Sequence, residues 1–216
     1  MTALSRLFAL YPAFHLIAIA AAAARLLLSP SPFAGLDLLA AIYLLPLACY
    51  RLLRTMSASE EGLFRLGERK FNPWWAGHQI QALFIGWPFL EVTLRLIPGL
   101  YSLWLRAWGS RVGRRTYWTP RVEILDRGLM EIGDDVIFGH KVECFAHVLK
   151  SKNGRLLLYV RRISIGSSVF IGAGSRMAPG IRIPEGSQVP LLTDLYPNQE
   201  FSPPSAAPAP EEARNG

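Results

Sequence analysis

The sequence predicts a short coil of parallel β-strands in the C-terminal half, preceded by an apolar two-helix hairpin and an amphipathic connector. Apolar residues recur every six positions beyond about Val122, and two long runs almost free of charge open the chain. A basic stretch broken by prolines lies between these regions. Composition agrees: hydrophobic residues make up 51% of the 216, and charged residues 18% against a usual share of about 25%. This excludes disorder for most of the chain. Cys49 and Cys144 are the only cysteines and lie in unlike surroundings, which excludes a disulfide-stapled module and a thiolate metal cluster.

The first run, Leu7 to Leu28, carries one formal charge, Arg25, and one histidine, His15. As a helix it reaches roughly 33 Å, enough for a hydrocarbon core of about 30 Å. The second, Leu36 to Leu53, has Asp37 at its start and Arg51 near its end, and an uncharged turn, Ser29 to Gly35, joins the two. A cleaved signal peptide and a buried core helix are the competing readings. The length of the first run and the immediate arrival of the second favour a membrane hairpin over residues 1–55. Arg6 precedes it, and Arg51, Arg54, Arg65, Arg69 and Lys70 follow, while the turn has no basic residue. Both ends are therefore expected in the cytoplasm, with the remaining chain on the cytoplasmic face of the inner (plasma) membrane. Arg25, near the outer end, is expected to snorkel.

Residues 56–121 read as an interfacial connector. Asn72-Pro73-Trp74-Trp75 sets two indoles after a basic cluster, as at a headgroup layer. Leu90, Leu94 and Ile97, then Leu100, Leu103 and Trp104, recur at helical spacing around Pro88, Pro98 and Gly99. Two short amphipathic helices lying on the bilayer are expected. Arginines 95, 106, 111, 114, 115 and 121 come without an acidic residue among them. Such a run attracts lipid headgroups or phosphates, with a solvated basic face as the plain alternative. No reading motif accompanies the charge, so nucleic acid is not an expected partner.

Within 122–198 the hexads are Ile132, Phe138 and Cys144, then Ile165, Ile171, Met177, Ile183 and Val189. Gly133, Gly139, Gly166, Gly172 and Ala178 each follow one of them. Period six fits neither a helix of 3.6 residues per turn nor a strand alternating by two. It fits an all-β solenoid of about three to four coils, with one side chain pointing inward per hexad. The separation from Cys144 to Ile165 exceeds a whole coil by three residues. A short loop carrying the turn residues Ser151-Lys152-Asn153-Gly154 is expected there. Residues 199–216, rich in Pro, Ala and Glu, read as a disordered tail.

Three passages carry a family resemblance. They are Ile132-Gly133-Asp134-Asp135-Val136 with Val142 and His147; Ile165 to Gly174 with Pro179-Gly180-Ile181-Arg182-Ile183; and Leu192 to Asn198. Together they resemble the hexapeptide-repeat acyltransferases over about a third of the chain. The resemblance implies a left-handed parallel β-helix, a homotrimer with active sites between subunits, and a catalytic histidine at His147. It also implies that Ile171, Gly172, Ala173 and Gly174 line the pantetheine arm of coenzyme A. Phe170 stands where the family often has tryptophan, and the coil before the tail is shortened at Ile183 to Ser187. Less wall for coenzyme A leaves an acyl carrier protein as the other donor. Similar repeat domains joined to membrane helices end poly-lysine-synthetase-like proteins.

The chemistry can be argued separately. Acyl transfer from a thioester to a hydroxyl needs a base, and imidazole titrates near working pH. His147 lies just before the inserted loop and is the expected base; His140 could orient it or bind acceptor, with an ordinary surface histidine as the plain alternative. Glu143 and Asp126 are the carboxylates available to hold the imidazole tautomer. Backbone N–H groups of Ile171 to Gly174 are candidate oxyanion donors, although the glycines can equally serve only to turn corners. Arg161, Arg162, Arg176 and Arg182 can meet coenzyme A phosphates or equally stand solvated, and Arg176 is the one taken as an expected contact. No nucleophile or zinc-helix motif appears.

The sequence therefore predicts a membrane-anchored O-acyltransferase, in the first place an acetyltransferase. It would take acyl-CoA or acyl carrier protein as donor and a membrane lipid or lipid-linked glycan as acceptor, with no metal and no tightly bound cofactor. Two alternatives accompany it: a non-catalytic membrane-attached trimeric scaffold, and a zinc enzyme resembling the γ-class carbonic anhydrases, for which His140 and His147 supply only two of three histidines.

Overall fold

The computed structural model describes residues 2–57, 60–66 and 70–202; most of the tail read as disordered lies outside them. Helix α1 (Ala3–Ala9) is capped by Thr2, whose hydroxyl accepts the Ser5 N–H, and α2 (Tyr11–Leu28) follows with Pro12 in its first turn. Ser31 caps α3 (Pro32–Leu39), which runs through a π turn (Ala40–Leu44) into α4 (Leu45–Met56). At the π turn the Ala41 carbonyl lies 3.0 Å from Nε2 of buried His15. Tyr11–Leu28 and Pro32–Met56 are each long and apolar enough to cross a membrane, with 6% and 17% of their apolar windows buried in the chain. Arg25 does not snorkel alone. It forms an ion pair with Asp37 across the turn, so the two charges offset one another.

The connector differs from two surface helices. Among the described residues three are present, α5 (Pro73–Gly86), α6 (Phe89–Arg95) and α7 (Leu100–Trp108). Asn72 caps α5, and Pro73 occupies its first turn. Helix α5 contacts α1, α2 and α4 on one side and buries Trp74, Ile80, Gln81 and Phe84. Trp74 therefore points into the protein rather than to a headgroup layer, because its indole N–H has a buried carboxylate to donate to.

The arginine run is also largely committed. The Arg95 side chain is buried, donates to the Pro120 carbonyl and lies 4.1 Å over the Tyr101 ring. Arg106 donates to the carbonyls of Val112 and Gly113, while Arg111 and Arg115 pair with Glu131 and Asp135. The acidic partners come from the next coil, 20 residues on, which is why the local sequence did not show them.

The repeat region winds through three parallel sheets. The first face stacks β2 (Arg111–Val112), β5 (Met130–Ile132), β10 (Ile163–Ile165) and β13 (Arg182–Ile183). A second stacks β3 (Tyr117–Trp118), β6 (Ile137–Phe138), β11 (Phe170–Ile171) and β14 (Gln188–Val189). The third stacks β4 (Glu123–Ile124), β7 (Glu143–Cys144), β12 (Arg176–Met177) and β15 (Asp194–Leu195). The coil therefore starts at Arg111, inside the predicted connector and earlier than Val122, and makes four turns. Val112, Ile132, Ile165 and Ile183 form one buried ladder; Phe138, Ile171 and Val189 form another. Corners hold left-handed residues in stacked positions, for example Arg115, Asp135, Ser168 and Gly186.

The insertion is larger than the predicted loop. Strands β8 (His147–Lys152) and β9 (Arg155–Val160) form an antiparallel hairpin, and β1 (Gly62–Arg65) adds to its edge. Asn153-Gly154, both with positive φ, make its two-residue turn. Offsets between successive coils are 20, 33 and 18 residues, and both excesses fall at the corner leading from the third face to the first. There one coil carries two extra residues, within the stretch Asp126-Arg127-Gly128, and the next carries the hairpin.

Candidate active site

That enlarged corner gathers the polar groups. His147 opens β8, and its Nδ1 lies 2.8 Å from Asp126 Oδ2. The same oxygen accepts the Ala146 N–H at 2.7 Å, and Asp126 Oδ1 accepts the Trp74 indole N–H at 2.8 Å. Burial alone would raise the Asp126 carboxyl, but the hydrogen bonds from His147, Trp74 and Ala146 hold it below the usual carboxylate range. An ionised Asp126 fixes the Nδ1–H tautomer and leaves Nε2 with its lone pair. The His147 side chain is 18% exposed, so solvent or substrate reaches it.

Helix α5 supplies the lid of this site, which the sequence reading missed. The Trp74 ring lies 4.5 Å from that of His147 and stacks on His78 at 4.8 Å; the two imidazoles are 5.5 Å apart. Burial lowers the His78 imidazole below its ordinary value, against the opposing pull of Asp126. The only sequence signal for this contact was the spacing of Trp74 and His78 by one helical turn. A second buried carboxylate, Glu60, accepts from Tyr50 at 2.9 Å and lies 3.6 Å from Arg54. Burial pushes it up to about 7. Below Asp126, Arg127 donates two bonds to Glu91, at 2.7 and 2.8 Å, and its backbone N–H donates to Gln81, which ties the corner to α5 and α6.

The other expected site residues lie elsewhere in the chain. His140 is exposed at the corner between the second and third faces, so it does not orient His147; of the two carboxylates considered, Asp126 reaches the ring. Gly172, Ala173 and Gly174 stack on that same His140 corner. The Gly172 and Gly174 N–H groups donate to the carbonyls of Val189 and His140, so neither amide is available to an oxyanion. Ile171 is core, Phe170 is exposed on the second face, and Arg176 pairs with Asp194 at 2.7 and 2.6 Å. Arg162 lies 3.5 Å from Glu61, and Arg161 lies beside Tyr159 and Asn198 near Gly180, on the His147 corner. Cys144 is buried, and burial pushes its thiol up, out of reactive range. Among the described residues, no three His, Cys, Asp or Glu side chains are grouped to hold a metal ion.

No protein-family model matches the chain, and no curated protein sequence matches it. Among solved structures, it is similar to a hexapeptide-repeat-containing acetyltransferase from Vibrio cholerae. Identity is 19%, over 56% of this chain and 85% of the other, with a TM-score of 0.42. A second structure of the Vibrio protein, with acetyl coenzyme A bound, matches with a TM-score of 0.41. A galactoside acetyltransferase in complex with coenzyme A matches at 18% identity, over 52% of this chain and 74% of the other, with a TM-score of 0.34. The parallel β-helix rests on the strand register given above, not on these likenesses.

Proposed function

We propose that this chain is a membrane-anchored O-acyltransferase, an acetyltransferase in the first place, with His147 as general base and Asp126 as its orienting partner. The observation that carries the reading is the His147–Asp126 pair at 2.8 Å, on a carboxylate with two further donors, at the one corner the repeat enlarges twice. Acyl-CoA or an acyl carrier protein would supply the thioester. Nε2 takes the acceptor hydroxyl proton as its oxygen bonds to the carbonyl carbon; the C–S bond then breaks, and the imidazolium returns that proton to the leaving thiolate. No covalent enzyme intermediate is needed.

The expected donor turn and His147 occupy different corners of one chain. A trimer reconciles them, since it can set the His140 corner of one subunit against the His147 corner of its neighbour. An outward column on the second face, Tyr117, Ile137 and Phe170, supports this, with exposures of 61%, 44% and 45% in register. On the last coil the in-register residue is Gln188, and the exposed Leu191 and Leu192 lie at the adjoining Gly172–Gly174 corner. Such a contiguous apolar ladder is more than scattered surface residues and fits a subunit contact. The left-handed winding belongs to the same reading.

Tyr11–Leu28 and Pro32–Met56 would anchor the catalytic part to the cytoplasmic face of the membrane, where the acceptor is a lipid or lipid-linked glycan. Confinement to one surface raises the encounter rate. Purified full-length protein should bind acetyl-CoA. His147→Ala should retain that binding and the oligomeric state while losing transfer by about 10²-fold or more. Unchanged turnover would overturn the assignment of His147 as base, and absence of transfer by the parental protein would leave a trimeric scaffold.

A further inference from the structure

A cavity of about 960 Å³ lies where the apolar helices meet the rest of the chain. One wall comes from α1, α2 and α4: Leu4, Phe8, Tyr11, Leu52, Leu53 and Met56. Strand β1, through Leu63, Phe64 and Arg65, and the segment Lys70 to Pro73 form the opposite wall. Its size falls at the upper end of small-molecule pockets, and its lining is mostly apolar. Among the described residues the basic ones that line it are Arg65 and Lys70, both exposed.

Two connections link the cavity to the enlarged corner. Strand β1 pairs with β9 and β9 with β8, so that Gly62, Val160 and His147 lie in one row. At sheet spacing that row sets Gly62, next to the cavity residue Leu63, roughly 10 Å from His147. Pro73 ends the opposite wall, and the next residue, Trp74, carries the hydrogen bond to Asp126. The cavity lies at the α1 and Met56 end of the helices, where lipid headgroups would lie if α2 and Pro32–Met56 span the bilayer.

We propose that this cavity seats the hydrocarbon tail of an anionic lipid, and that this lipid is the acyl acceptor. Its headgroup is held by Arg65 and Lys70, with the hydroxyl directed along the β1–β9–β8 row to His147. The inference rests on the acyltransferase reading for the last step only; occupation of the cavity is independent of it. An apolar lining binds a chain of methylenes from the bilayer, and two cations at the rim favour a phosphate-bearing headgroup over a zwitterionic one.

The test uses full-length protein in phosphatidylcholine nanodiscs doped with phosphatidylglycerol carrying a chain-terminal diazirine. A parallel preparation carries the same photoreactive chain on phosphatidylcholine. After irradiation, label should concentrate on peptides containing Leu52 to Met56 and Leu63 to Arg65, and phosphatidylglycerol should exceed phosphatidylcholine. Leu63→Glu and Arg65→Glu, both at exposed positions, should each lower that label about tenfold. They should lower acetyl transfer into lipid with it while acetyl-CoA binding persists.

His147→Ala should abolish transfer and leave the label in place, which separates failure of the catalytic reading from failure of the lipid site. Label spread along the exposed faces of α2 and α3, equal labelling by the two lipids, or indifference to Leu63→Glu would overturn the site. Loss of label with transfer intact would overturn the acceptor role.

Discussion

Replacing Asp126 by Asn is the most informative single change, because it alters charge and donor count while keeping shape. Three donors converge on this carboxylate: the Trp74 indole N–H and the Ala146 N–H, with His147 Nδ1–H the third. If the asparagine oxygen keeps Trp74, its NH₂ faces the Ala146 N–H and leaves that donor unpaired. The same NH₂ then donates to His147 Nδ1, which moves the imidazole proton to Nε2 and removes the base. Loss of one charge-assisted bond and one buried donor's partner costs about 2–4 kcal/mol of stability. Loss of the tautomer costs about 10²- to 10⁴-fold in turnover. Incorporation of radiolabelled acetyl from acetyl-CoA into the lipid-extractable fraction reads the second quantity, and thermal unfolding in detergent reads the first. Transfer at the parental rate from folded Asp126→Asn would refute the argument.

Other consequences follow from the same packing. Burial raises Glu60 from 4.5 to about 7, so its protonated form favours the fold. Stability from this group is full below about pH 4.5 and is lost as pH rises through about 7; the loss is on the order of 3 kcal/mol. Unfolding of Glu60→Gln followed over that range should lack this decline, and an unchanged pH slope would contradict it. Arg127→Met takes the two short bonds from buried Glu91, which keeps Arg95 at 3.9 Å and the Trp104 indole N–H, and should cost about 3 kcal/mol, with much of the loss restored by adding Glu91→Gln; additive losses in chemical denaturation would contradict the pairing. Gly35 has nothing near its would-be Cβ, so Gly35→Cys should react with an impermeant thiol reagent from outside intact cells, as a two-span hairpin requires. Reaction only after permeabilisation would contradict that topology.

The hexad ladder was legible because each inward slot repeats a single physical demand, and Ile132, Phe138, Cys144, Ile165 and Ile171 all face the core. The first coil was not. Its inward residues, Val112 and Trp118, lie in arginine-rich sequence without the Ile-Gly signature, and their partners are 20 residues away. His147 was visible by its place before an insertion. Its carboxylate partner was only one of two candidates, because the choice depends on two extra residues in the preceding coil. Trp74 and His78 were out of reach. They belong to a helix that the helical spacing further along did not reveal, its Trp74-Trp75 pair reading as a headgroup-layer signal, and only tertiary packing turns that helix toward Asp126. Donor-side glycines were read for chemistry, but the coil spends their amides on its own ladder.

The claim on which the account stands is that His147 passes an acyl group to a membrane component. Mass spectrometry of lipid extracts from otherwise identical cells, one set producing the parental chain and the other His147→Ala at equal abundance in the membrane, tests it directly. One lipid or lipid-linked glycan should be heavier by a single acyl group in the first set, and that species should be absent from the second. Identical lipid profiles in the two sets would contradict it.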